Sequence, residues 1–300
     1  MNTTWEQTER LLPILVHIQA NLEENLALDQ IADRAQVSPF HFHRQFQNVV
    51  GETLKQYTQR LRLERAAYYL KIRDATVLDI ALTCGFHNHE TFSRAFKRHF
   101  GLTPRAFRQQ GGLLSDRPLI GVADNQPSHA LNHHTTRFEL SKVQVQTLNP
   151  LHVAFIRHIG PYTEVDATAF DRLVAWAKAT GVYDGDNLLL AIGHDDPNIT
   201  PPEKLRYDAC LSVKRPFSPQ GEIGYQIIPA AAYGTATYIG PYGPTMFEAI
   251  ATIFNQLAQL KRYQIVGLPL IEIYRTTQIN PDYELNQTDI YIPVSVIKEL

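Results

Sequence analysis

The sequence predicts an all-α N-terminal half followed by an α+β half, in which two β-α-β-β repeats form one antiparallel sheet with helices on one side. Residues 1–112 show helical periodicity and few strand signals, whereas residues 138–300 alternate short β-rich runs with helical runs. Between them, residues 113–137 are rich in Gly, Pro, Asn, Ser and His, which is typical of a linker. We therefore predict two domains, 1–112 and 138–300, joined by this linker.

Composition indicates a globular protein. The chain has 300 residues, of which 44% are hydrophobic and 19% are charged, so each predicted domain can bury a core. The two cysteines, Cys84 and Cys210, suit neither a disulfide framework nor a metal site, and we expect a reducing compartment. The polar start of the chain does not form a secretory signal, and no apolar run approaches the roughly 20 residues of a membrane helix. We expect a cytoplasmic protein with no membrane partner.

The two halves differ in charge. Residues 1–112 carry 14 Lys and Arg against 11 Asp and Glu, whereas the remaining residues carry 14 against 19, for a net charge of −2. The N-terminal half is only mildly basic, so charge alone is weak evidence for a nucleic-acid partner.

The first half repeats itself at an offset of 50 residues. Residues 42–46 (FHRQF) return as residues 92–96 (FSRAF), and Gly51 returns as Gly101. Further upstream the offset is 49, so one residue is inserted in the turn of the second copy. We interpret the pattern as an all-α double helix-turn-helix domain, in which each glycine ends a second helix.

Local signals place the elements of these two units. The first helices are predicted at Asp29–Ala35 and Leu78–Cys84. Ser38 and Asn88 are predicted N-caps of the second helices, because their side-chain oxygens can accept hydrogen bonds from free amides. The connecting helix, Thr53–Lys71, would be about 28 Å long. Successive major grooves lie about 34 Å apart, so one chain could present two recognition helices to adjacent grooves.

Each predicted second helix has two distinct faces. The core face carries the aromatic residues of the repeat, Phe42, Phe46, Phe92 and Phe96. On an isolated helix, the opposite polar face is more often simply solvated surface. An arginine that recurs at the same exposed position of both units, as Arg44 and Arg94, instead favours contacts with DNA bases.

The second unit also contains a series of motifs at fixed spacing: Asp79-Ile80-Ala81, Cys84-Gly85-Phe86, Phe92-Ser93-Arg94-Ala95-Phe96-Lys97, Gly101, Thr103-Pro104 and Phe107-Arg108. With these motifs, residues 8–108 resemble the DNA-binding domain of the AraC/XylS family. The resemblance implies sequence-specific binding of double-stranded promoter DNA, with RNA polymerase as a further partner. By the family pattern, the base-reading residues are Phe40, His43, Arg44, His89, Glu90, Ser93 and Arg94. Phe40 and His43 depart from the commoner choices of the family.

The second half has its own repeat, at an offset of 80 to 81 residues. His158-Ile159-Gly160-Pro161-Tyr162 returns as Tyr238-Ile239-Gly240-Pro241-Tyr242, and Asp208 returns as Asp289. Each copy is predicted to form a strand, a Gly-Pro turn, a helix and a strand pair. Two such units can pack about a pseudo-twofold axis into one sheet.

Further motifs of this half are Leu205-Arg206-Tyr207-Asp208-Ala209-Cys210, Ile271-Glu272-Ile273-Tyr274 and Asp289-Ile290-Tyr291-Ile292-Pro293-Val294. With these and the two Ile-Gly-Pro-Tyr motifs, residues 138–297 resemble the GyrI-like effector-binding domain. The resemblance implies that a hydrophobic, often cationic, small molecule binds in a groove between the repeats. It also implies that the Glu of the Glu-x-Tyr motif lines the pocket, which makes Glu272 and Tyr274 the candidate effector-binding residues.

The residues around Glu272 support this assignment. Alternation along residues 270–274 puts Ile271 and Ile273 on one face, which we expect to pack under the helices, and Glu272 on the opposite, groove-facing side. At the offset of 81, the matching positions in the first repeat are Ala191 and Gly193, which are small and leave room. A carboxylate beside apolar and aromatic walls suits a cationic ligand. The alternative is a solvated carboxylate on an open sheet face.

Other candidate residues receive weaker assignments. His129 and His133 are spaced like a metal-binding pair but lack a third ligand, so we predict no metal site. Asp208 and Asp289 are expected to hold loop or strand-end geometry. Tyr162 and Tyr242 follow Gly-Pro turns and could wall the groove, although packing is the role we favour for them. Cys84 is expected in a helix core and Cys210 in a buried strand. No catalytic residue set and no cofactor motif is found.

Two other classes of function remain open. The second domain could be a hydrolase with Glu272 as general base, assisted by Tyr274, or it could be a module that binds another protein. The fused DNA-binding half argues against an enzyme, because catalysis needs no DNA reader. The expected protein is a non-enzymatic transcription regulator that senses a small molecule.

Overall fold

A computed structural model describes residues 3–110, 138–267, 269–275 and 286–297. Among the described residues the chain divides into two compact units. One is mainly helical and comprises residues 3–110 with residues 217–226, and the other is α+β and comprises residues 138–216 with the described residues after 226. The predicted linker and the histidine pair His129 and His133 lie outside the described residues.

The helical unit consists of seven described helices. They are α1 (Thr3–Ala20), α2 (Leu28–Arg34), α3 (Pro39–Val50), α4 (Leu54–Ile72), α5 (Val77–Thr83), α6 (His89–Phe100) and α7 (Pro104–Gln109). Helices α2 and α3 form the first helix-turn-helix unit, and α5 and α6 form the second. The predicted first helices and the 19-residue connecting helix are confirmed within one residue at each end.

The predicted caps of the second helices are confirmed. Ser38 Oγ accepts a hydrogen bond from the backbone N–H of His41 at 3.3 Å, and Asn88 Oδ1 accepts from that of Thr91 at 2.8 Å. Gly51 and Gly101 end the two helices with φ of 75°, in the left-handed region that favours glycine.

The predicted aromatic cores are also confirmed. Phe42, Phe46, Phe92 and Phe96 are all fully buried. In the first unit the core extends to Ile18 of α1, and in both units the phenylalanines pack ring against ring. Burial of four such rings anchors α3 and α6 and leaves their opposite faces exposed.

The α+β unit contains one ten-stranded sheet and two α-helices among its described residues. In chain order the elements are β1 (Glu139–Leu140), β2 (Gln144–Leu148), β3 (Leu151–Ile159), α8 (Thr168–Ala179), β4 (Leu189–Gly193), β5 (Arg206–Val213), β6 (Ile223–Ile228), β7 (Ala231–Ile239), α9 (Pro244–Gln259), β8 (Tyr263–Ile265), β9 (Leu270–Tyr274) and β10 (Gln287–Val296).

The sheet is built symmetrically from the two repeats. Its main path runs β1-β7-β10-β9-β4-β5-β3-β6, with β2 beside β7 and β8 beside β10. The strands β7, β10 and β9 of the second repeat are thus equivalent to β3, β5 and β4 of the first, and the two sets follow the same order from the edge of the sheet to its centre. At the centre, β4 pairs antiparallel with β9, and Ala191 is the Cα partner of Glu272. Because these two residues are also equivalent under the repeat, the pseudo-twofold axis passes between them.

Both α-helices cover the same face of the sheet. The Tyr274 ring packs edge-on against Phe170 of α8, with 5.5 Å between ring centroids. A side chain at Gly234 of β7 would collide with Leu257 of α9. The strand registers place Gly234 and Tyr274 on one face, since directly paired residues point the same way. The prediction of two β-α-β-β repeats with helices on one side is therefore confirmed.

Candidate nucleic-acid and ligand-binding sites

The first recognition surface lies on α3. Phe40 is 79% exposed, which is unusual for a phenylalanine and leaves its ring free to contact another molecule. The guanidinium carbon of Arg44 lies 6.0 Å from the centre of this ring. Arg44 is exposed and His43 is half-buried on the same side of the helix. These three residues form one continuous surface.

The second recognition surface lies on α6. His89, Glu90 and Arg94 are exposed, and Ser93 is half-buried. Arg94 Nη2 lies 3.5 Å from Glu90 Oε1, and both side chains are about three-quarters exposed. Such an ion pair is weak, so a stronger partner can displace Glu90 from the guanidinium. The described structure thus exposes all seven predicted base-reading residues at least in part.

Glu272 lies on the central strand β9, across from Ala191 of β4. The carboxylate is half-buried and accepts a hydrogen bond of 2.9 Å from the hydroxyl of Tyr274. The Tyr274 hydroxyl lies 2.8 Å from that of Tyr207 on β5. Since Tyr274 donates its only proton to Glu272, Tyr207 donates to Tyr274. The two tyrosines and the glutamate form one directed hydrogen-bond chain that joins both repeats.

Aromatic rings surround this chain. The Tyr274 ring lies edge-on to Phe170 and to Tyr242, with 5.7 Å between the Tyr274 and Tyr242 centroids. The ring centroids of Tyr207 and Tyr162 lie 6.1 Å apart. Tyr162 and Tyr242 therefore lie beside the hydrogen-bond chain, which supports a role in the wall of the site over the packing role that we favoured from sequence.

Burial dominates the electrostatics of the site. It raises the pKa of Glu272, and the hydrogen bond from Tyr274 opposes this only in part. Burial also raises the pKa values of Tyr274 and Tyr207 well above the ordinary value, so both hydroxyls remain donors. Within the ranges that the structure covers, no Lys, Arg or His forms an ion pair with Glu272. The carboxylate therefore lies in a partly desolvated position.

Space beside the carboxylate is provided by the first repeat, as predicted. A Cβ atom built on Gly193 meets no atom within 4 Å. Gly193 is the Cα partner of both Leu270 and Tyr207, so this open volume lies on the same face as Glu272.

One prediction about this site is wrong. We expected Ile271 and Ile273 to pack under the helices and Glu272 to occupy the opposite face. The contacts of Tyr274 with Phe170 and Tyr242 show that Glu272 and Tyr274 point to the helix-covered face. Ile271 and Ile273 point away from α8 and α9. Glu272 and the two helices therefore lie on the same face of the sheet.

Three residues of the site were missed or undervalued from sequence. Phe170 and Tyr207 were not singled out, and Tyr242 was assigned to packing. For Tyr207 a signal was available in the sequence. Its neighbour Asp208 had already identified an equivalent strand in each repeat, and this strand contains Tyr207.

Cys84 lies at the end of α5 and Cys210 in β5, and both are buried free thiols, as expected. Burial raises the pKa of Cys84 to about 12. In the described parts of the chain, no three His, Cys, Asp or Glu side chains are arranged to hold a metal ion. Among the helices described, none is long and apolar enough to cross a membrane.

A duplicated helix-turn-helix surface followed by a duplicated α+β unit with a half-buried acidic site defines a DNA-binding regulator with a small-molecule domain. The family described as GyrI-like small molecule binding domain matches residues 141–295, more than half of the chain. A Helix-turn-helix domain family matches residues 31–110. The chain therefore belongs to the GyrI-like family and carries an AraC-type helix-turn-helix domain before the GyrI-like domain.

Several known proteins are similar to parts of the chain. The probable transcription factor PqrA of Proteus vulgaris is 40% identical over 100 residues, covering 33% of this chain and 82% of that protein. The right origin-binding protein of Escherichia coli (strain K12) is 34% identical over 127 residues, covering 41% of this chain and 44% of that protein, less than half its length. A solved AraC-type transcriptional regulator from Chromobacterium violaceum is 35% identical, covers 34% of this chain and 90% of its own, and has a TM-score of 0.32.

Proposed function

We propose that this protein is a transcription regulator that binds promoter DNA through both helix-turn-helix units and responds to a hydrophobic cation bound at Glu272. The observation that supports this proposal most directly is the half-buried carboxylate of Glu272. It lies among aromatic rings and has no ion-pair partner among the described residues. A bound cation would repay the cost of keeping this anion partly desolvated.

The surroundings of Glu272 define the class of ligand. A single carboxylate matches one positive charge, and the tyrosine and phenylalanine rings offer apolar contacts as well as attraction for a cation. Gly193 leaves room for a bulky group beside the charge. A small, strongly hydrated ammonium ion would gain little here, because the rings cannot replace its water.

The proposed DNA contacts are the residues exposed on α3 and α6. Arg44 and Arg94 would bind guanine, and Phe40 would make apolar contact with a thymine methyl group. RNA polymerase is the proposed protein partner, because a regulator at a promoter acts on the enzyme that starts transcription there. We assign no reaction to the α+β unit.

Calorimetric titration of the full chain tests the ligand site. The probe is tetraphenylphosphonium, and tetraphenylborate, an anion of nearly the same shape, is the matched control ligand. We expect the cation alone to bind, and Glu272→Gln to weaken its binding by about 1–3 kcal/mol, the worth of a hydrogen bond to a charged group. A solvated surface pair would be worth only about 0–1 kcal/mol.

The exposed Glu203 provides the control substitution, Glu203→Gln, which should leave the affinity unchanged. Equal binding of the cation to the Glu272→Gln variant, or binding of the anion alone, would contradict the proposal. Steady chemical conversion of an uncharged ester by the wild type, lost in Glu272→Gln, would support a hydrolase instead.

A further inference from the structure

Arg62 of α4 donates hydrogen bonds to backbone carbonyl groups just after the end of α1. Its Nε donates to the carbonyl oxygen of Leu22 at 2.7 Å, and its Nη2 donates to that of Glu24 at 2.6 Å. Helix α1 ends at Ala20, so these carbonyls belong to the turn that follows it, where backbone acceptors lack helical partners. One guanidinium therefore fixes this turn to the middle of the connecting helix.

The same bridge contacts the turn of the second helix-turn-helix unit. Gly85 lies in this turn with φ of +80°, and a Cβ atom built there would lie 2.6 Å from the Leu22 oxygen and 2.9 Å from Arg62 Nε. Only a glycine tolerates both the backbone angle and the close approach. The turn with the inserted residue therefore rests directly on the arginine and on the carbonyl that it binds.

These contacts connect the two recognition helices. Leu22 belongs to the core cluster that also holds Phe42 and Phe46 of α3 and Leu61 of α4, so α1, α3 and the first half of α4 behave as one packed body. Gly85 lies four residues before His89, the first residue of α6. Arg62 thus links the body that carries α3 to the turn from which α6 begins.

We propose that Arg62 is a positioning residue that sets the geometry between the two recognition helices, and thereby the spacing between the two DNA half-sites that the chain accepts. The inference rests on the proposed binding of DNA by both units. With the bridge intact, α3 and α6 keep one fixed separation and angle. Without it, the packing of α5, α6 and α7 against α4 remains, but the turn before α6 loses its fixed contact with the end of α1, so the angle of α6 relative to α3 is less restricted.

The experiment uses the full chain and a duplex that the wild type selects from randomised DNA. Spacer variants of this duplex carry two extra base pairs between the half-sites, which rotates one groove against the other by about 70°. We expect a large loss of wild-type affinity on insertion. Arg62→Ala should bind the original duplex about tenfold more weakly, lose much less on insertion, and bind an isolated half-site like the wild type.

Arg65→Ala is the matched control. Arg65 Nη2 also donates from α4 to the end of α1, at the carbonyl oxygen of Gln19 (3.1 Å), and Nη1 pairs with Glu23 at 3.2 Å. It should keep the wild-type dependence on spacing. If Arg62→Ala does not fold, Gly85→Ala provides the test. Its methyl group must displace the turn from Arg62 and the Leu22 carbonyl, and the preferred spacing between half-sites should therefore change.

The outcomes separate the two claims. If the wild type enriches no sequence from the randomised DNA, both the proposed function and this inference are contradicted. The wild type may instead select a bipartite site. If the folded Arg62→Ala or Gly85→Ala chain then depends on spacing as strongly as the wild type does, this inference alone is overturned.

Discussion

Asp208 on β5 and Asp289 on β10 occupy equivalent positions in the two repeats, and each is bound by an arginine from a different part of its repeat. Arg157, on the neighbouring strand β3, holds Asp208 through two hydrogen bonds of 2.7 Å. Arg275, directly after β9, holds Asp289 at 2.6 Å. The position equivalent to Arg157 is Thr237, which donates to Asp289 at 2.7 Å. The ion pair is therefore kept in both repeats, although the arginine has moved.

The first pair should matter much more for stability than the second. Arg157 is 5% exposed and Asp208 is fully buried, so Asp208→Asn leaves a buried guanidinium without its counter-charge. We expect the free energy of unfolding to fall by about 3–5 kcal/mol, measured by urea denaturation. Asp289→Asn should cost about 1 kcal/mol or less, because Arg275 is 59% exposed. Equal losses would contradict this assignment.

Stability should also depend on pH through Asp208. Although burial opposes it, the charge of Arg157 holds the pKa of Asp208 below its ordinary value in the folded state. The stabilisation is therefore present above the ordinary aspartate pKa and is lost as the pH falls toward the lowered folded value. Urea midpoints measured downward from pH 5 should show this loss in the wild type, and less of it in Asp208→Asn.

Effector binding should weaken in acid. Burial raises the pKa of Glu272, so this carboxylate takes up a proton at a higher pH than an exposed glutamate does. Tetraphenylphosphonium has a fixed charge, so any change in its affinity reports on the protein. We expect constant affinity above the raised pKa and a loss of about tenfold per pH unit below it. The profile of Glu272→Gln should be flat, and a flat wild-type profile would exclude Glu272 as the charged contact.

The same substitution should stabilise the protein without ligand. An acid whose folded pKa is raised adds stability at low pH and loses it as the pH rises through the raised value, so the ionised form of Glu272 opposes folding. Glu272→Gln removes this charge at nearly constant shape. We expect a higher Tm at pH 7 and no gain at pH 4, by scanning calorimetry; a lower Tm at pH 7 would show that the carboxylate is structurally satisfied.

Filling the open space beside Glu272 should block the ligand without harming the fold. Since no atom lies within 4 Å of a Cβ built on Gly193, Gly193→Leu should change the free energy of unfolding by only about 0.5 kcal/mol or less. Its side chain would nevertheless occupy the groove face. Calorimetry should show at least a tenfold loss of tetraphenylphosphonium binding, roughly 1.4 kcal/mol. Unchanged affinity would place the ligand elsewhere.

The recognition arginines should each contribute to specific DNA binding. Arg44→Ala and Arg94→Ala are each expected to weaken binding by about 1–3 kcal/mol in gel shifts on the selected duplex. We expect the larger effect at Arg44, because Arg94 must first leave Glu90. Arg215→Ala removes the same charge from an exposed position of the α+β unit and serves as the control. Wild-type affinity in both variants would refute the assignment.

The fold was predictable where the sequence repeats and where local chemistry decides. Ser38, Asn88 and Gly101 act on backbone groups within a few residues, so their roles as caps follow from the sequence alone. The strands β1, β2, β6 and β8 were not predicted, because they lie outside the matched motifs from which the repeat was recognised. Two of them are only two and three residues long, too short for alternation to be recognised.

The site was predictable in its central residue but not in its orientation. Glu272 stands out as a charge within an apolar strand, whereas Leu270, Ile271, Ile273 and Tyr274 are all buried. A strand that is buried on both faces gives no alternation to show which face the helices cover. The contribution of Tyr207 depends on the register of β5 against β4 and of β4 against β9, which is a long-range property.

The pairing of Ala191 with Glu272 at the pseudo-twofold axis bears on why the two repeats are fused. An assembly of two identical repeats would place the same amino acid on both sides of the axis, giving two opposed carboxylates or none. Two carboxylates so close would repel each other or share a proton. A lone negative charge at a symmetric centre requires two unequal halves, and a fused chain provides them in a fixed one-to-one ratio. Here the two repeats provide equivalent strands on both sides of the axis, and the difference between Ala191 and Glu272 leaves a single carboxylate there.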